Sequence, residues 1–535
     1  MAWWRGAVIY QIYPRSFQDS NGDGIGDLKG ATRRLGHIAG LGADGIWLSP
    51  FFTSPMLDFG YDVSDYRNVD PMFGTLADFK ALVAEAHSLD LKVMIDLVLS
   101  HSSDQHPWFK ESRLSTDNSR ADWYVWADPK PDGTPPNNWL SIFGGSACEW
   151  EPRRRQYYLH NFLKQQPDLN FHNTAVQDEL LDVARFWLEL GVDGFRLDTV
   201  NFYFHDKQLR DNPPNTSKIA HEVPLSNPYG WQEHIHDKSQ PENLDFLKRF
   251  RSLLDAHGDI ATVGEVGDGA RAMRTVAAYT AGQERLNMCY AFEFLARDFG
   301  KAHVEKTIRD FESVIGDGWA CWAFSNHDVE RHVTRWAAHG ADRLSFGRFC
   351  IALLMALRGS VCIYQGEELA LTEGEVTFEQ LQDPYGKTFW PEFKGRDGCR
   401  TPMVWDANAP NAGFSAANRT WLPITRAHVE NAVSRGGQEN RDTLLEDYRR
   451  FIKLRHDHPA LMTGSIKILE TSGEVLAFER SAGNDTIICI FNFGKDIAQW
   501  TLAEPASVIA EAGARLSGNA VTLEPNGAIY LGKGT

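Results

Sequence analysis

Acids stand where buried strands should end. The segment Asp96-Leu-Val-Leu-Ser-His101 closes on a histidine, Gly194-Phe-Arg-Leu-Asp198 on an acid, and Glu265 follows Gly264. Two later segments end Ser325-Asn-His327-Asp328 and Gln365-Gly-Glu367-Glu368. One such acid reads equally well as a salt-bridged strand end, but several converging on one rim point to chemistry. Neighbouring strands lie about 4.8 Å apart, so Asp198 and Glu265, at the ends of adjacent strands, come within about 5–5.5 Å. That is the spacing of a retaining glycosidase, in which one carboxylate attacks the anomeric carbon directly; an inverting pair needs a wider gap for water. Arg196, two residues before Asp198, projects to the same side of its strand. A cation there holds Asp198 ionised and in place. Glu265 is then the proton donor, which requires a raised pKa. The surrounding rim is aromatic and uncharged-polar, as sugar recognition requires.

Eight buried strands are expected to carry these residues: Val8–Tyr13, Gly45–Leu48, Val93–Leu99, Gly194–Val200, Ala261–Val266, Leu286–Phe292, Trp319–Ser325 and Val361–Gln365. Helical patterns lie between most of them, among them Leu76–Ser88, Ala175–Leu190 and Leu344–Leu357. Eight such units predict an α/β fold, a closed (β/α)8 TIM barrel, whose chemistry sits at the C-terminal strand ends. No Gly-rich phosphate loop follows strand one, which argues against an open doubly wound sheet. The barrel is expected over residues 1–100 and 172–457, with an inserted small domain at 101–171 after strand three. A second insertion is expected at 371–440, and a C-terminal β-sandwich over 458–535, from Leu476–Arg480, Thr486–Phe491 and Ile529–Leu531.

The 535 residues are globular in composition, 43% hydrophobic and 23% charged, which excludes disorder. With Lys plus Arg 54 and Asp plus Glu 71, the net charge is −17. Such a chain is ill suited to nucleic acid or anionic membrane and suits a small neutral or cationic substrate. The longest purely apolar run, Phe349–Leu357, is too short to span a bilayer. The opening Met-Ala-Trp-Trp-Arg-Gly shows no signal-peptide pattern, so a cytoplasmic location is expected. The seven cysteines are widely spaced without a CxxC, and read as buried free thiols.

Together, Asp96–His101, Gly194–Asp198, Gly264–Glu265, Phe324–Asp328 and Gln166-Pro-Asp-Leu-Asn170 closely resemble glycoside hydrolase family 13, the α-amylase family. So do Gln11-Ile-Tyr-Pro-Arg-Ser-Phe17 and Tyr364-Gln-Gly-Glu-Glu368, and the nearest branch is that of α-glucosidases and oligo-1,6-glucosidases. The resemblance covers residues 7–405. It implies Asp198 as nucleophile, Glu265 as acid/base and Asp328 as a third acid gripping sugar hydroxyls. It implies hydroxyl-binding His101 and His327, an acid and stacking tyrosine at Asp58 and Tyr61, and aromatic walls at Phe143 and Phe162. Arg400 is expected to pair with Asp58 and close the pocket, with Arg396 the weaker candidate. Thr199, after the nucleophile, resembles the α-1,4-acting members, whereas Val there resembles the α-1,6-acting ones. Ser100 departs from the Asn of many members, and Val266-Gly267 follows the acid.

The loop Asp19-Ser-Asn21-Gly-Asp23-Gly24-Ile25-Gly-Asp27 carries oxygens at every second residue with Gly at the sixth. That is a Ca²⁺-loop pattern, partial because Gly30 stands at position twelve. The resemblance strengthens a structural divalent cation there, Ca²⁺ or Mg²⁺, with the Ile25 carbonyl among its ligands. No organic cofactor is expected. His205, His221, His234 and His236 have poor metal spacing and read as solvated or hydroxyl-binding groups. The 40-odd residues after Val200 carry Phe202, Tyr203, Phe204, Tyr229 and Trp231, whose cost in water predicts an ordered lid over the leaving-group side.

The activity these readings imply is retaining, exo-acting hydrolysis of short α-glucosides such as maltose, with transglucosylation as a side reaction. Sucrose-cleaving, isomerising and 1,6-acting enzymes of the family share the catalytic residues and are the nearest alternatives. Non-catalytic transporter subunits resembling the family carry a transmembrane helix and lack the acids, so they are disfavoured. The sequence does not set the oligomeric state.

Overall fold

The computed structural model describes residues 2–216, 223–340, 342–435, 438–439 and 444–533. All eight expected barrel strands are present: β1 Val8–Ile12, β2 Gly45–Leu48, β3 Lys92–Leu97, β4 Gly194–Leu197, β5 Ala261–Val266, β6 Met288–Ala291, β7 Cys321–Ala323 and β8 Ser360–Tyr364. They pair in parallel in the order β6-β5-β4-β3-β2-β1-β8-β7. A single parallel bridge, Cys289 to Ala320, joins the two ends and closes the ring. These strands read as unbroken apolar runs because both faces are covered. One face fills the barrel with Ile9, Trp47, Met94, Val263, Met288 and Tyr290. The other packs on the surrounding helices.

Those helices are α1 Leu28–Leu41, α2 Leu76–Ser88, α3 Thr174–Glu189, α4 Asn243–Asp255, α5 Ala272–Thr280, α6 Lys301–Val314, α7 Arg343–Ala356 and α8 Leu444–Asp457. Their starts are set by capping side chains. Asp27 accepts from Gly30 N at α1, a Thr75/Asp78 capping box opens α2, and Asn173 caps α3. Helix α1 stops at Gly42, whose φ of 89° a residue with a side chain rarely adopts.

Between β3 and α3 lie a short helix, Pro107–Ser112, and a three-stranded antiparallel sheet of Trp126–Ala127, Gln156–Leu159 and Cys148–Glu151. This segment has its own apolar cluster of Val125, Trp139, Ala147 and Leu159. The stretch after β8 is irregular apart from short helices such as Pro384–Phe389.

Past α8 and a short helix, Pro459–Thr463, six antiparallel strands follow: β9 Ser465–Ile468, β10 Val475–Ala482, β11 Asp485–Asn492, β12 Ala498–Thr501, β13 Ala506–Ser517 and β14 Ala520–Lys533. Alternation assigns their two faces. Phe478, Cys489, Phe491 and Tyr530 join the barrel's core, while Ala477, Ile488, Ile490 and Ile529 pack with Leu502, Val521 and Leu523 in a second layer. All seven cysteines are free and buried. Among the described residues no helix is long and apolar enough to cross a membrane.

Candidate active site

Strand register brings the charged groups together. Asp96 on β3 lies opposite Arg196 on β4, and Glu265 on β5 opposite Tyr290 on β6. The Arg196 guanidinium then gathers three carboxylates. Its Nη1 lies 2.7 Å from Asp96 and 2.6 Å from Asp198, and its Nη2 2.6 Å from Glu265. Tyr290 accepts from Arg196 Nη2 at 2.8 Å and donates to Glu265 at 3.1 Å. Trp47 and Tyr61 place ring faces near the guanidinium, at 5.1 and 5.9 Å.

Thr199 follows Asp198 in the left-handed region, at φ 39° and ψ 47°. That is a strained conformation for a β-branched residue, of the kind that clusters at functional sites. It aims the Thr199 N–H at Glu265 Oε2, 3.0 Å away, and leaves the hydroxyl 3.2 Å from Asp198 Oδ2. Burial pushes Glu265 up to about 7 against the pull of Arg196, with Asp198 and Asp328 adding to the rise. Burial likewise raises Asp198 to about 7 and Asp96 to about 6, again opposed by Arg196. Carboxyl groups sharing one cation take up protons as a unit.

Asp328, in the loop after β7, behaves oppositely. Burial opposes its charge, but His327, Arg396 and Arg400 outweigh burial and hold it well below the usual carboxylate range. Arg400 Nη2 donates to it at 2.9 Å and Arg396 Nη1 at 3.3 Å. Its side chain is 23% exposed, against 6% for Asp198 and 7% for Glu265, so the site opens past Asp328. His327 stacks on Tyr61, ring centroids 5.5 Å apart, hydrogen-bonds its hydroxyl and contacts Gln11. Burial pushes His327 down to about 3 and His101 to about 4, so both rings are neutral. Phe162 packs on His101 at 5.1 Å and on Phe143 at 5.9 Å.

Two buried acids with raised pKa values on one guanidinium, beside a third acid locked in its charged form, suit acid/base and nucleophilic work on a neutral substrate. Residues 11–464 match the family described as "Alpha amylase, catalytic domain". The chain belongs to the α-amylase family.

As a member of that family it is a glycoside hydrolase. It is 62% identical to a probable α-glucosidase of Rhizobium meliloti (strain 1021), covering 93% of this chain and 90% of the relative. It is 37% identical to an oligo-1,6-glucosidase of Parageobacillus thermoglucosidasius, covering 92% and 91%. Among solved structures, an α-glucosyl transfer enzyme, XgtA, superposes with a TM-score of 0.96 at 52% identity, with both chains fully covered. The trehalulose synthase MutB from Pseudomonas mesoacidophila MX-45 superposes at 0.89 with 33% identity, covering 99% of each chain.

One α-amylase-family expectation fails. Asp58 does not pair with Arg400. It pairs with Arg396, whose Nη2 lies 2.7 Å from Asp58 and 2.8 Å from Asp383. The cause is the path of the loop after β8. Arg396 N also donates to Asp383 at 2.8 Å, which turns its side chain toward Asp58 and over the Phe143 ring, 5.2 Å away. Four residues on, Arg400 points to Asp328 and the His327 carbonyl.

The expected aromatic lid is also only partly formed. Phe202 reaches the site side and packs on Phe162 at 5.6 Å. Tyr203 stacks on Phe171 at 4.7 Å, in the core rather than over the rim, and Phe204 lies beside it. Tyr229 is buried against His234, but Trp231 is 60% exposed. The walls are tied together by polar groups instead. Asn227 Nδ2 donates to the Ile142 carbonyl at 2.7 Å and to Tyr385 at 3.2 Å, joining the β4 loop, the inserted segment and the β8 loop. Asn138 and Asn212 exchange two hydrogen bonds of 2.8 Å across the same junction.

Three histidines of that loop face protein neighbours. His205 is buried beside His172, His234 pairs with Asp237 at 2.5 Å, and His236 lies 3.9 Å from Asp206. His221 lies outside the described residues.

In the loop Asp19–Asp27 the donors are all oxygen, the chemistry a hard divalent cation takes. The side chains meanwhile serve the loop's own backbone. Asp19 accepts from Asn21, Gly22 and Gly24, Asn21 from Asp23, Asp23 from Ile25, and Asp27 from Ser20 and Gly30. Among the described residues, no three His, Cys, Asp or Glu side chains gather closely enough to hold an ion. The donor types suit a hard divalent cation.

Sequence reasoning left Gln166, Tyr290 and Asp383 unassigned. Gln166 sits in a quoted motif and donates to Asp58 at 3.1 Å; Tyr290 is marked only by its register with Glu265. Asp383 had no signal, since its place depends on an irregular loop.

Proposed function

We propose that this protein is a retaining, exo-acting α-glucosidase that releases α-glucose from short α-glucosides, α-1,4-linked disaccharides such as maltose first among them, with glucosyl transfer to other acceptors as a side reaction. In this reading Asp198 attacks the anomeric carbon, Glu265 protonates the leaving oxygen and then activates water, and Asp328 binds sugar hydroxyls that strengthen in the transition state. The observation that carries it is the single guanidinium spanning Asp198 and Glu265. A gap bridged that way favours the narrow separation of a retaining pair, about 5–5.5 Å, over the about 6.5–9.5 Å of an inverting one. Asp58, paired with Arg396, whose guanidinium lies over the Phe143 ring, supports a pocket closed on the sugar side and so an exo action. Thr199 beside the nucleophile supports the α-1,4 preference. A structural divalent cation in the Asp19–Asp27 loop belongs to the same proposal, on its oxygen donors alone.

NMR of the first-formed product tests the mechanism, and the α-anomer is expected. Asp198→Ala and Glu265→Gln should each cost several orders of magnitude in kcat. With an activated aryl α-glucoside, Glu265→Gln should retain the first step and accumulate glucosyl-enzyme. Maltose should be cleaved with higher kcat/KM than isomaltose. A first-formed β-anomer refutes retention, and a preference for isomaltose reverses the linkage assignment.

A further inference from the structure

Ser100 is buried three residues past β3, and its hydroxyl touches two groups. Its Oγ lies 3.0 Å from Thr199 Oγ1 and 2.8 Å from His101 Nδ1. Thr199 Oγ1 in turn lies 3.2 Å from Asp198 Oδ2. The four residues form one continuous chain of hydrogen bonds, and its direction follows from donor counting.

An ionised carboxylate only accepts, and a hydroxyl has one proton to give. Thr199 therefore donates to Asp198. With its proton engaged, Thr199 must accept from Ser100. Ser100, its own proton engaged, must accept from His101, so His101 carries its proton on Nδ1. Burial keeps that ring neutral, which leaves Nε2 as a bare lone pair.

The other side of the ring gives the same answer independently. Gln166 Oε1 accepts from the Leu163 N–H at 3.0 Å, which fixes the orientation of the amide. Its Nε2 is then a donor, 3.1 Å from His101 Nε2 and 3.1 Å from Asp58 Oδ2. A donor facing His101 Nε2 needs a lone pair there. One contact points the other way: the Tyr61 carbonyl lies 3.1 Å from His101 Nε2 and would accept a proton. The opposite tautomer would satisfy it, but would set Gln166 N–H against Nε2–H and leave no proton between Ser100 and Thr199. One unmet contact against two decides for Nδ1–H.

We propose that Ser100 is a positioning residue: through Thr199 it steadies the carboxylate of Asp198, and it holds His101 as the Nδ1–H tautomer, whose Nε2 accepts from the Gln166 amide that also binds Asp58. The strained backbone of Thr199 serves this arrangement, since one residue then places its N–H on Glu265 and its hydroxyl in the chain. The proposal deepens the functional reading and rests on Asp198 being the ionised nucleophile.

Neutron diffraction from deuterium-exchanged crystals at alkaline pH, where Asp198 is ionised, reads the protons directly. The expected map shows a deuteron on His101 Nδ1, none on Nε2, and the Ser100 deuteron directed at Thr199. A deuteron on Nε2, or a Ser100 hydroxyl directed at His101, overturns the proposal. The map needs no turnover, so it decides this point even if glucosides prove not to be the substrate.

Kinetics supply the second reading, with an aryl α-glucoside. Ser100→Ala should lower kcat/KM about tenfold, the scale of one buried hydrogen bond. It should also move the acid limb of the pH profile upward, because Thr199 then stabilises the Asp198 anion less. Ser100→Thr, which restores the hydroxyl, should recover both. An unchanged acid limb in Ser100→Ala, or a Ser100→Thr no better than Ser100→Ala, means that Ser100 only fills space.

Discussion

Glu265 lies 2.6 Å from the guanidinium of Arg196, yet its carboxyl is pushed up to about 7. Burial outweighs the ion pair, because Arg196 is shared with Asp96 and Asp198. The consequence for stability has a definite sign. A carboxyl whose pKa is raised on folding binds its proton more tightly in the folded state, so its contribution is fully present below its unfolded value of 4.5 and is lost as pH rises through about 7. Above that pH the ionised group costs about 3 kcal/mol. Glu265→Gln removes this cost while leaving Arg196 two carboxylates. Its melting temperature should exceed wild type above neutrality and converge with it near pH 4.5. Melting curves from acid to alkaline pH check this; a gain that does not grow with pH would rule out burial as the cause. The alkaline limb of kcat/KM should fall in the same region, near 7, as Glu265 loses the proton it must donate.

Arg396 sits between Asp58, Asp383 and Asp328. Removing it leaves buried carboxylates without their cation, which costs about 3–5 kcal/mol in comparable buried pairs. Arg396→Lys keeps the charge but loses the fork that reaches two acids at once, so it should recover only part of the loss. Double-mutant cycles with Asp58→Asn, read by urea denaturation, should give a coupling above about 1 kcal/mol with Arg396 and a smaller one with Arg400. The reverse ranking would restore the pairing expected from the sequence.

Asn227 joins three rim segments; under the proposed function these segments close the leaving-group side and leave a polymer no path beyond the first leaving-group sugar. The kcat/KM should fall from maltose through maltotriose and maltotetraose, with soluble starch nearly inert. Asn227→Ala should loosen the junction and raise the maltotriose-to-maltose ratio. Initial rates on the four substrates check both; a kcat/KM that climbs with chain length would mean an open groove.

If a divalent ion occupies the Asp19–Asp27 loop, excess chelator should lower the melting temperature, and added Ca²⁺ should restore it, because binding only the folded form stabilises it. Asp23→Ala should abolish the response without affecting kcat. Melting that ignores both chelator and Ca²⁺ would show that the loop's own hydrogen bonds suffice.

The barrel was legible because its strands are buried on both faces. Runs such as Val8–Ile12 and Ala261–Val266 are continuous and bounded, and their charged ends stand out. The C-terminal hairpin Ala506–Lys533 was mostly missed, because much of it alternates exposed polar and half-buried residues. In the site, Asp198, Glu265, Asp328 and Arg196 were visible from strand ends and side-chain alternation, and the structure brings them together. What the sequence could not show is which of two arginines four residues apart reaches Asp58. That depends on Asp383, whose position is set by an irregular loop with no period to read. The exposure of Trp231 went unforeseen for the same reason: aromatic content marks a loop as ordered without saying which rings face inward.

The barrel wall is fastened unevenly. Seven joints are ladders of paired residues, whereas β6 and β7 meet at one bridge, Cys289 to Ala320. Mechanically the barrel is a rolled sheet pinned along a seam. Glu265 stands on β5, beside β6, and Asp328 follows β7, so the seam runs between the elements that carry them. Any parting of the wall there would change the separation of those two acids before it disturbed the Asp198–Arg196 pair on β4. Amide exchange should accordingly be fastest, among the eight strands, along Met288–Ala291 and Cys321–Ala323.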